Sequence, residues 1–220
     1  MRHHKTTTAA AALAAGVLLL TGCGGGGTKG GDAKKIAGAD SGPSASATPS
    51  TSASAAADAA DRPKVTLPEG DSLIFEPEAV GDPTTDAILK DNAEYLRAID
   101  EAIGKQDLKS KSVAFYAKDD ALMGTTKWIG GFITDNTTVT GTVRYFNRKV
   151  TMSQDGSASL IYCADETKGF TKDRKTGKVD VTPPSKNSYV YYSDRWRKND
   201  KGVWQVTTST SERGKQSCQP

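Results

Sequence analysis

Histidine is almost absent from this chain. Its two copies, His3 and His4, stand among the first five residues, so whatever folds from the rest has no imidazole. That excludes Ser/His/Asp and Cys/His nucleophilic machinery and any His-ligated zinc or copper centre. Cysteine occurs three times, at 23, 163 and 218, and aromatic residues make up only 7%. No apolar run approaches the roughly 20 strongly apolar residues of a membrane helix. No glycine-rich loop follows a strand, since "GCGGGG" and "KGGD" both precede residue 33, and no internal repeat occurs. Net charge is also missing where it would matter. With the two leader bases and the four charges of each sign in 24–62 set aside, residues 63–220 carry 23 basic and 22 acidic side chains. A near-neutral domain has no electrostatic claim on nucleic acid.

What is present begins with an address. "MRHHK" is basic, and "TTTAAAALAAGVLLL" behind it has the length and weak polarity of a signal-peptide core. Leu20, Thr21, Gly22 and Cys23 then resemble the bacterial lipobox. That resemblance implies diacylglyceryl transfer to the Cys23 thiol, cleavage before it, and a lipidated N-terminus. Two acyl chains on one residue, at about 0.8 kcal/mol per buried methylene, anchor stably where a single chain does not. The expectation is a signal segment over 1–22 and a mature protein held by Cys23 on the outer face of the cell membrane. The leader would take both histidines with it. With Cys23 acylated, Cys163 and Cys218 are an even pair in an oxidising compartment and are expected to bridge. Any catalysis then falls to Asp, Glu, Tyr, Lys or Arg, with no metal and no cofactor expected.

Residues 23–62 form the next segment. Beyond Cys23 the stretch is "GGGGTKGGDAKKIAGADSGPSASATPSTSASAAADAADR", with one isoleucine and no aromatic residue. It cannot bury enough apolar surface to offset ordering entropy and reads as a disordered tether. As a coil it spans roughly 35 Å.

Residues 63–220 suit a single domain. An extended lead-in over 63–81 precedes a helix signalled by Asp82, Pro83 and a stripe of Ile88, Tyr95, Leu96, Ile99 and Ile103, with Gly104 as its end. Tyr95 is read as a core residue with a wet hydroxyl. Further helix extends to about 135, weakened at Gly124 and Gly130. From 137 to about 212 the period changes to two, with "SQDGS" and "KNDKG" as hairpin turns. "ETKGFTKDRKTGKVDVTPPSKN" reads as a long, charged connection. Helices followed by two hairpins predict an α+β domain, with helices on one face of an antiparallel sheet.

A long helix, a helical pair and a curved sheet whose last strand carries W-x-V resemble the cone-shaped nuclear transport factor 2-like fold. "YVYYSDRWRKNDKGVWQVTTSTSERGKQSC" is similar to small actinobacterial lipoproteins of uncharacterised function. The resemblance covers about 84–218. It implies a pocket between sheet and helices, in a family that includes ketosteroid-isomerase-like and polyketide-cyclase-like enzymes, protein-binding modules and accessory domains of cell-wall enzymes. A shared fold does not choose among them.

Two sets of side chains are candidates for a site. Asp165 shares strand parity with Ile161 and Cys163; if that face lined the cone it would be a buried general base, with Tyr145, Tyr162, Tyr189, Tyr191 or Tyr192 as phenolic donor. The competing role is a solvated strand end. Arg144, Arg148, Arg195 and Arg197 on neighbouring strands would make an anion or peptide-carboxylate cradle, or else solvent-facing residues that bracket core tryptophans. The leading expectation is a non-catalytic binding or accessory module for a small apolar molecule, a peptide or an envelope protein. An isomerase- or cyclase-like enzyme using Asp165 is the alternative, and a structural interaction protein with a filled cone is the third.

Overall fold

The computed structural model describes residues 62–220. The signal segment, Cys23 and nearly all of the tether lie outside the described residues. Strand β1 (Asp71–Phe75) comes first, then helices α1 (Pro83–Lys105), α2 (Lys111–Tyr116) and α3 (Asp119–Thr134). Strands β2 (Thr137–Met152), β3 (Ala158–Asp173), β4 (Val179–Asp180), β5 (Tyr189–Lys198) and β6 (Trp204–Arg213) complete the chain, with short 3-10 turns at Lys186–Ser188 and Gln216–Cys218. The sheet order is β1-β2-β3-β5-β6, with β4 paired to β3. Among the described residues no helix is long and apolar enough to cross a membrane. The architecture is the α+β one expected: helices packed on one side of a curved, largely antiparallel sheet.

Helix α1 starts as its sequence dictates. Asp82 caps it by accepting from the Thr85 amide at 2.8 Å, and Pro83 occupies the first turn, where a missing N–H costs nothing. Its end differs from expectation. Gln106, at φ 56°, closes the helix, while Gly104 lies within it, where a Cβ would stand 2.6 Å from Pro68 Cγ of the lead-in. Glycine at 104 serves close approach, not termination. Ile88, Leu96 and Ile103 are buried as predicted, and so is Tyr95. The Tyr95 hydroxyl is not wet, however, because it bonds Thr125 Oγ1 of α3 at 2.5 Å.

Helix α3 runs unbroken through Gly124 and Gly130. Each glycine costs about 1 kcal/mol against alanine, which the buried stripe Ala121, Thr125 and Ile129, at i, i+4 and i+8, outweighs.

Two corrections concern the sheet. The lead-in is not merely extended, because "DSLIF" forms β1 in parallel pairing with β2, from Asp71 opposite Gly141 to Phe75 opposite Tyr145. The first part of the expected charged connection is strand too, since β3 continues through Glu166–Asp173, with Lys168–Asp173 paired against 137–142 of β2. Gly141 faces Gly169 in that ladder with φ 93°, and a Cβ on Gly141 would lie 2.1 Å from the Lys168 carbonyl oxygen. Only glycine permits strands to approach so closely there. Register shifts at Thr142/Arg144 and Phe146/Lys149 add bulges, which bend the strands. The bent hairpin carries one sheet face around the helices.

The opposite face is closed by the C-terminus. β6 is an edge strand, yet Cys218 reaches Cys163 on β3 and the two are bonded, with Cα atoms 5.6 Å apart. Gly214, at φ 75°, turns the chain back with its amide on the Tyr189 carbonyl, and the tail crosses β5. The bridge thus spans one intervening strand.

Candidate functional site: a tyrosine-floored cavity with a carboxyl pair

Between α1, α3 and the concave face of the sheet lies a cavity of about 500 Å³. Its floor is formed by Tyr145, Tyr162 and Tyr192, part of an aromatic row that continues outside the cavity to Phe75. Phe75 of β1 stacks on Tyr145 of β2 with centroids 5.2 Å apart. Tyr145 meets Tyr162 of β3 edge-on at 6.0 Å, and Tyr162 stacks on Tyr192 of β5 at 4.9 Å. Cross-strand neighbours on one face must pack on each other, so one inward aromatic per strand forms a continuous surface. α3 supplies the facing wall through Gly124, Thr125, Trp128 and Phe132. Trp128 is 55% exposed and packs edge-on against Phe132 at 5.4 Å.

The charged groups of the cavity are four acids, Asp71, Asp100, Asp120 and Glu166, and one base, Arg213. Asp71 on β1 and Asp100 on α1 stand with their carboxyls against each other, an arrangement that favours a proton between them. Burial pushes the Asp71 pKa above the usual carboxylate range. Asp100 is held well above it, first by burial, then by the adjacent Asp71 carboxyl, and then by Glu166. The second oxygen of Asp71, Oδ2, is buried without a partner. Glu166 is satisfied differently, because Arg213 Nη1 of β6 reaches its Oε2 at 2.6 Å. Behind the wall formed by Tyr162 and Ser209 sits Asp194, 2% exposed, with neither oxygen in hydrogen-bonding geometry with a protein group. Burial raises its pKa to about 7, against a smaller lowering by the hydroxyls of Ser209 and Tyr162 beside it. The phenols are just as dry, and burial pushes Tyr145, Tyr162 and Tyr192 up from the ordinary tyrosine value. Among the described residues no three His, Cys, Asp or Glu side chains are placed to hold a metal ion.

The residues singled out from sequence are scattered by the same geometry. Asp165 does share parity with Cys163, but that parity is the outer face. It lies outside the cavity wall, its Oδ1 accepts the Thr167 amide at 3.0 Å, and its Oδ2 is 3.6 Å from Arg144. It is not positioned as a base within the cone. Arg144 also reaches Glu76 at 3.0 Å and lies over the Phe146 ring at 4.3 Å. Arg195 and Arg197 both hold Asp155 of the β2–β3 turn at 3.0 Å. Arg148 is elsewhere. The bulge after Phe146, with Asn147 at φ 52°, turns Arg148 inward, where it is 5% exposed and donates to the Pro77 and Leu89 carbonyls and to Asn92 Oδ1. Burial lowers its pKa to about 10. The four arginines therefore form no cradle: two pair with a turn, one with a strand end, and one clamps the backbone.

Of the tyrosines, 145, 162 and 192 line the cavity, whereas Tyr189 and Tyr191 do not, and Lys215 covers the Tyr191 ring at 4.0 Å. Asp71, Asp100, Asp194 and Arg213 were not identified from sequence. Asp100 is the residue that had a visible signal, because it directly follows Ile99 and comes three before Ile103 on the apolar stripe of α1. An acid so close to that stripe either costs stability or has a partner.

No protein-family profile matches the chain, and no curated protein is similar to it. Solved structures with a similar course include ActVI-ORFA from Streptomyces coelicolor, at 10% identity and TM-score 0.42, covering 60% of this chain and 98% of that one. A ketosteroid isomerase-like protein from Erwinia carotovora atroseptica has 17% identity and TM-score 0.39, covering 63% and 98%. The intermembrane space region of the chloroplast protein ARC6 has 14% identity and TM-score 0.40, covering 61% and 99%. What the cavity of this protein holds is to be read from its own side chains.

Proposed function

We propose that this chain is a binding module, tethered through a lipidated Cys23 to the outer face of the cell membrane, that encloses a small, largely apolar molecule between its helices and its sheet. The observation that carries the reading is the cavity itself, about 500 Å³, with aromatic and aliphatic side chains forming just over half of its wall and polar and charged ones most of the rest. That is the usual size of a small-molecule site. A cone filled with side chains is disfavoured by the same cavity. The anchoring rests on the lipobox-like "LTGC" and the composition behind it.

A second reading keeps the chamber but adds proton transfer. It is favoured by the Asp71–Asp100 pair, two adjacent carboxyls whose pKa values are both raised, that of Asp100 the more strongly. Asp165 has no part in it.

Gly124 offers the direct test. It lies in the α3 wall, and an added Cβ meets nothing within 4 Å, so Gly124→Phe projects a ring into the cavity without backbone strain. Native mass spectrometry of the full chain from its host membranes is expected to show a bound small molecule in the wild type and none in the variant, at similar melting temperatures. A wild type that is empty and takes up no apolar probe would falsify the binding reading. For the anchor, Cys23→Ala is expected to shift the protein from the membrane fraction to the soluble one.

A further inference from the structure

We infer that the ligand of this cavity is an amphipathic amine, its apolar or aromatic body against the tyrosine floor and its protonated nitrogen between Asp71 and Asp100. This rests on the binding reading above and names the class of molecule.

Four observations converge. The first is an unmatched pair: Asp71 and Asp100 stand side by side in the cavity wall, and neither has an ion pair among the described residues. Glu166, by contrast, already has Arg213. The second is the orphaned Asp71 Oδ2, a buried acceptor in the cavity wall with no donor. An ammonium has three donors and no acceptor and supplies what that oxygen lacks.

The third is Asp194. It projects from the same face of β5 as the wall residues Val190 and Tyr192, almost fully buried and with both oxygens unpartnered behind Tyr162 and Ser209. Once ionised, above about pH 7, this second acid beneath the aromatic floor adds to a potential that favours cations and opposes anions. The fourth is the floor. The faces of Tyr145, Tyr162 and Tyr192 attract cations through the ring quadrupole, most strongly where water is excluded. A divalent metal is a poorer fit, since no third ligating carboxylate, histidine or cysteine completes such a group among the described residues.

Binding must then move a proton. In the free protein the pair holds one between its carboxyls; an ammonium replaces it, and that proton leaves to solvent while the amine keeps its own. Affinity therefore rises with pH as the pair gives up its proton. Around the pair stand Tyr145 of β2, Glu166 of β3, Tyr192 of β5, Arg213 of β6 and Asp120 of α3. Of these only Arg213 is cationic, and it is bound to Glu166.

The test is a charge series on one body: 4-phenylbutylamine, 4-phenylbutan-1-ol and 4-phenylbutyrate, titrated calorimetrically into the full chain in non-ionic detergent at pH 5 and pH 8. The amine is expected to bind at least about tenfold more tightly than the alcohol, a difference of one decade in Kd, with the butyrate weakest. Its Kd should fall as the pH is raised from 5 to 8, with proton release visible as a dependence of the heat on buffer ionisation enthalpy. Asp100→Asn should erase the preference for amine over alcohol, while alcohol binding stays within about twofold. Should the Asn variant not fold, the buffer-dependent proton release of the wild type decides alone. Amine and alcohol binding equally, or butyrate binding best, overturns the amine inference and leaves the cavity reading intact. If none of the three binds, the cavity reading falls with it.

Discussion

The two faces of this sheet are made by the same strands and differ by one residue of register, yet they have opposite electrostatic character. On the outer face the charged groups have partners of their own: Arg144 with Glu76 and Asp165, and Arg195 and Arg197 with Asp155. A disulfide pins the tail across that face. On the concave face Glu166 has Arg213, but two carboxyls are left wanting, Asp71 with one bare oxygen and Asp194 with two. Paired charges at a surface stabilise little and recognise nothing further, whereas unpartnered buried groups are costly and persist where something repays them. The outer face reads as scaffold and the inner face as site. Strand parity, not residue type, separates the two.

If that division holds, the largest effect on stability should come from the outer face without disturbing the inner one. Cys163→Ser with Cys218→Ser opens a bridge closing 55 residues and is expected to lower unfolding free energy by about 4 kcal/mol by the chain-entropy account. Denaturant melts measure the loss, and small-molecule binding to the surviving folded protein should be unchanged. Binding lost in step with stability would mean that the faces are not separable.

A middle-sized effect belongs to the inner face and depends on pH. Asp194 has a folded pKa raised to about 7, so the fold favours its protonated form. Its contribution is fully present below the unfolded carboxylate pKa and is lost as pH rises through about 7. The loss is about 1.4 kcal/mol for each unit by which the pKa is raised. Asp194→Asn should therefore gain stability relative to wild type between pH 5 and pH 8, read as diverging melting temperatures. Parallel curves would put Asp194 in contact with water or a cation, and the inner face would lose its distinctive feature.

The smallest effects are expected from the outer charges. Asp165→Asn and Arg195→Ala remove exposed or half-exposed pairs and should cost less than about 1 kcal/mol each in thermal or denaturant melts. Neither should alter ligand binding. A loss of binding in Asp165→Asn would return that carboxyl to the site.

Why some elements were legible in advance and others not follows from the range of the forces involved. The α1 stripe, the Asp82 cap and the turns "SQDGS" and "KNDKG" depend on neighbours a few residues away. They stand as read, the turns closing through the Ser153–Ser157 and Asn199–Val203 backbone bonds. β1 was missed because "DSLIF" has no sequence-local partner, and its pairing with β2 joins residues about 70 apart. The extension of β3 was missed because its residues look like a solvated loop until Gly141 and Gly169 let the hairpin bend. The disulfide was anticipated by counting cysteines. The Gly214 turn, which lets an edge strand's tail reach past β5, was not.

Composition by itself determined the class of chemistry left to the domain. A chain without imidazole beyond its first residues, and with its last two cysteines bridged, has carboxylates, phenols and basic side chains to work with. Which of those carboxylates matter was decided only in three dimensions. A residue's face depends on the count of bulges before it, and a single extra residue at Asn147 sends Arg148 inward. Asp165 and Glu166 are adjacent in sequence, yet one faces the outer surface with Arg144 and the other lines the cavity with Arg213. Asp71 and Asp100 lie 29 positions apart and meet only because β1 pairs with β2 beneath α1. Burial raises both pKa values, and the nearness of Asp71 raises that of Asp100 further, effects that exist only once the fold has brought the two together away from water.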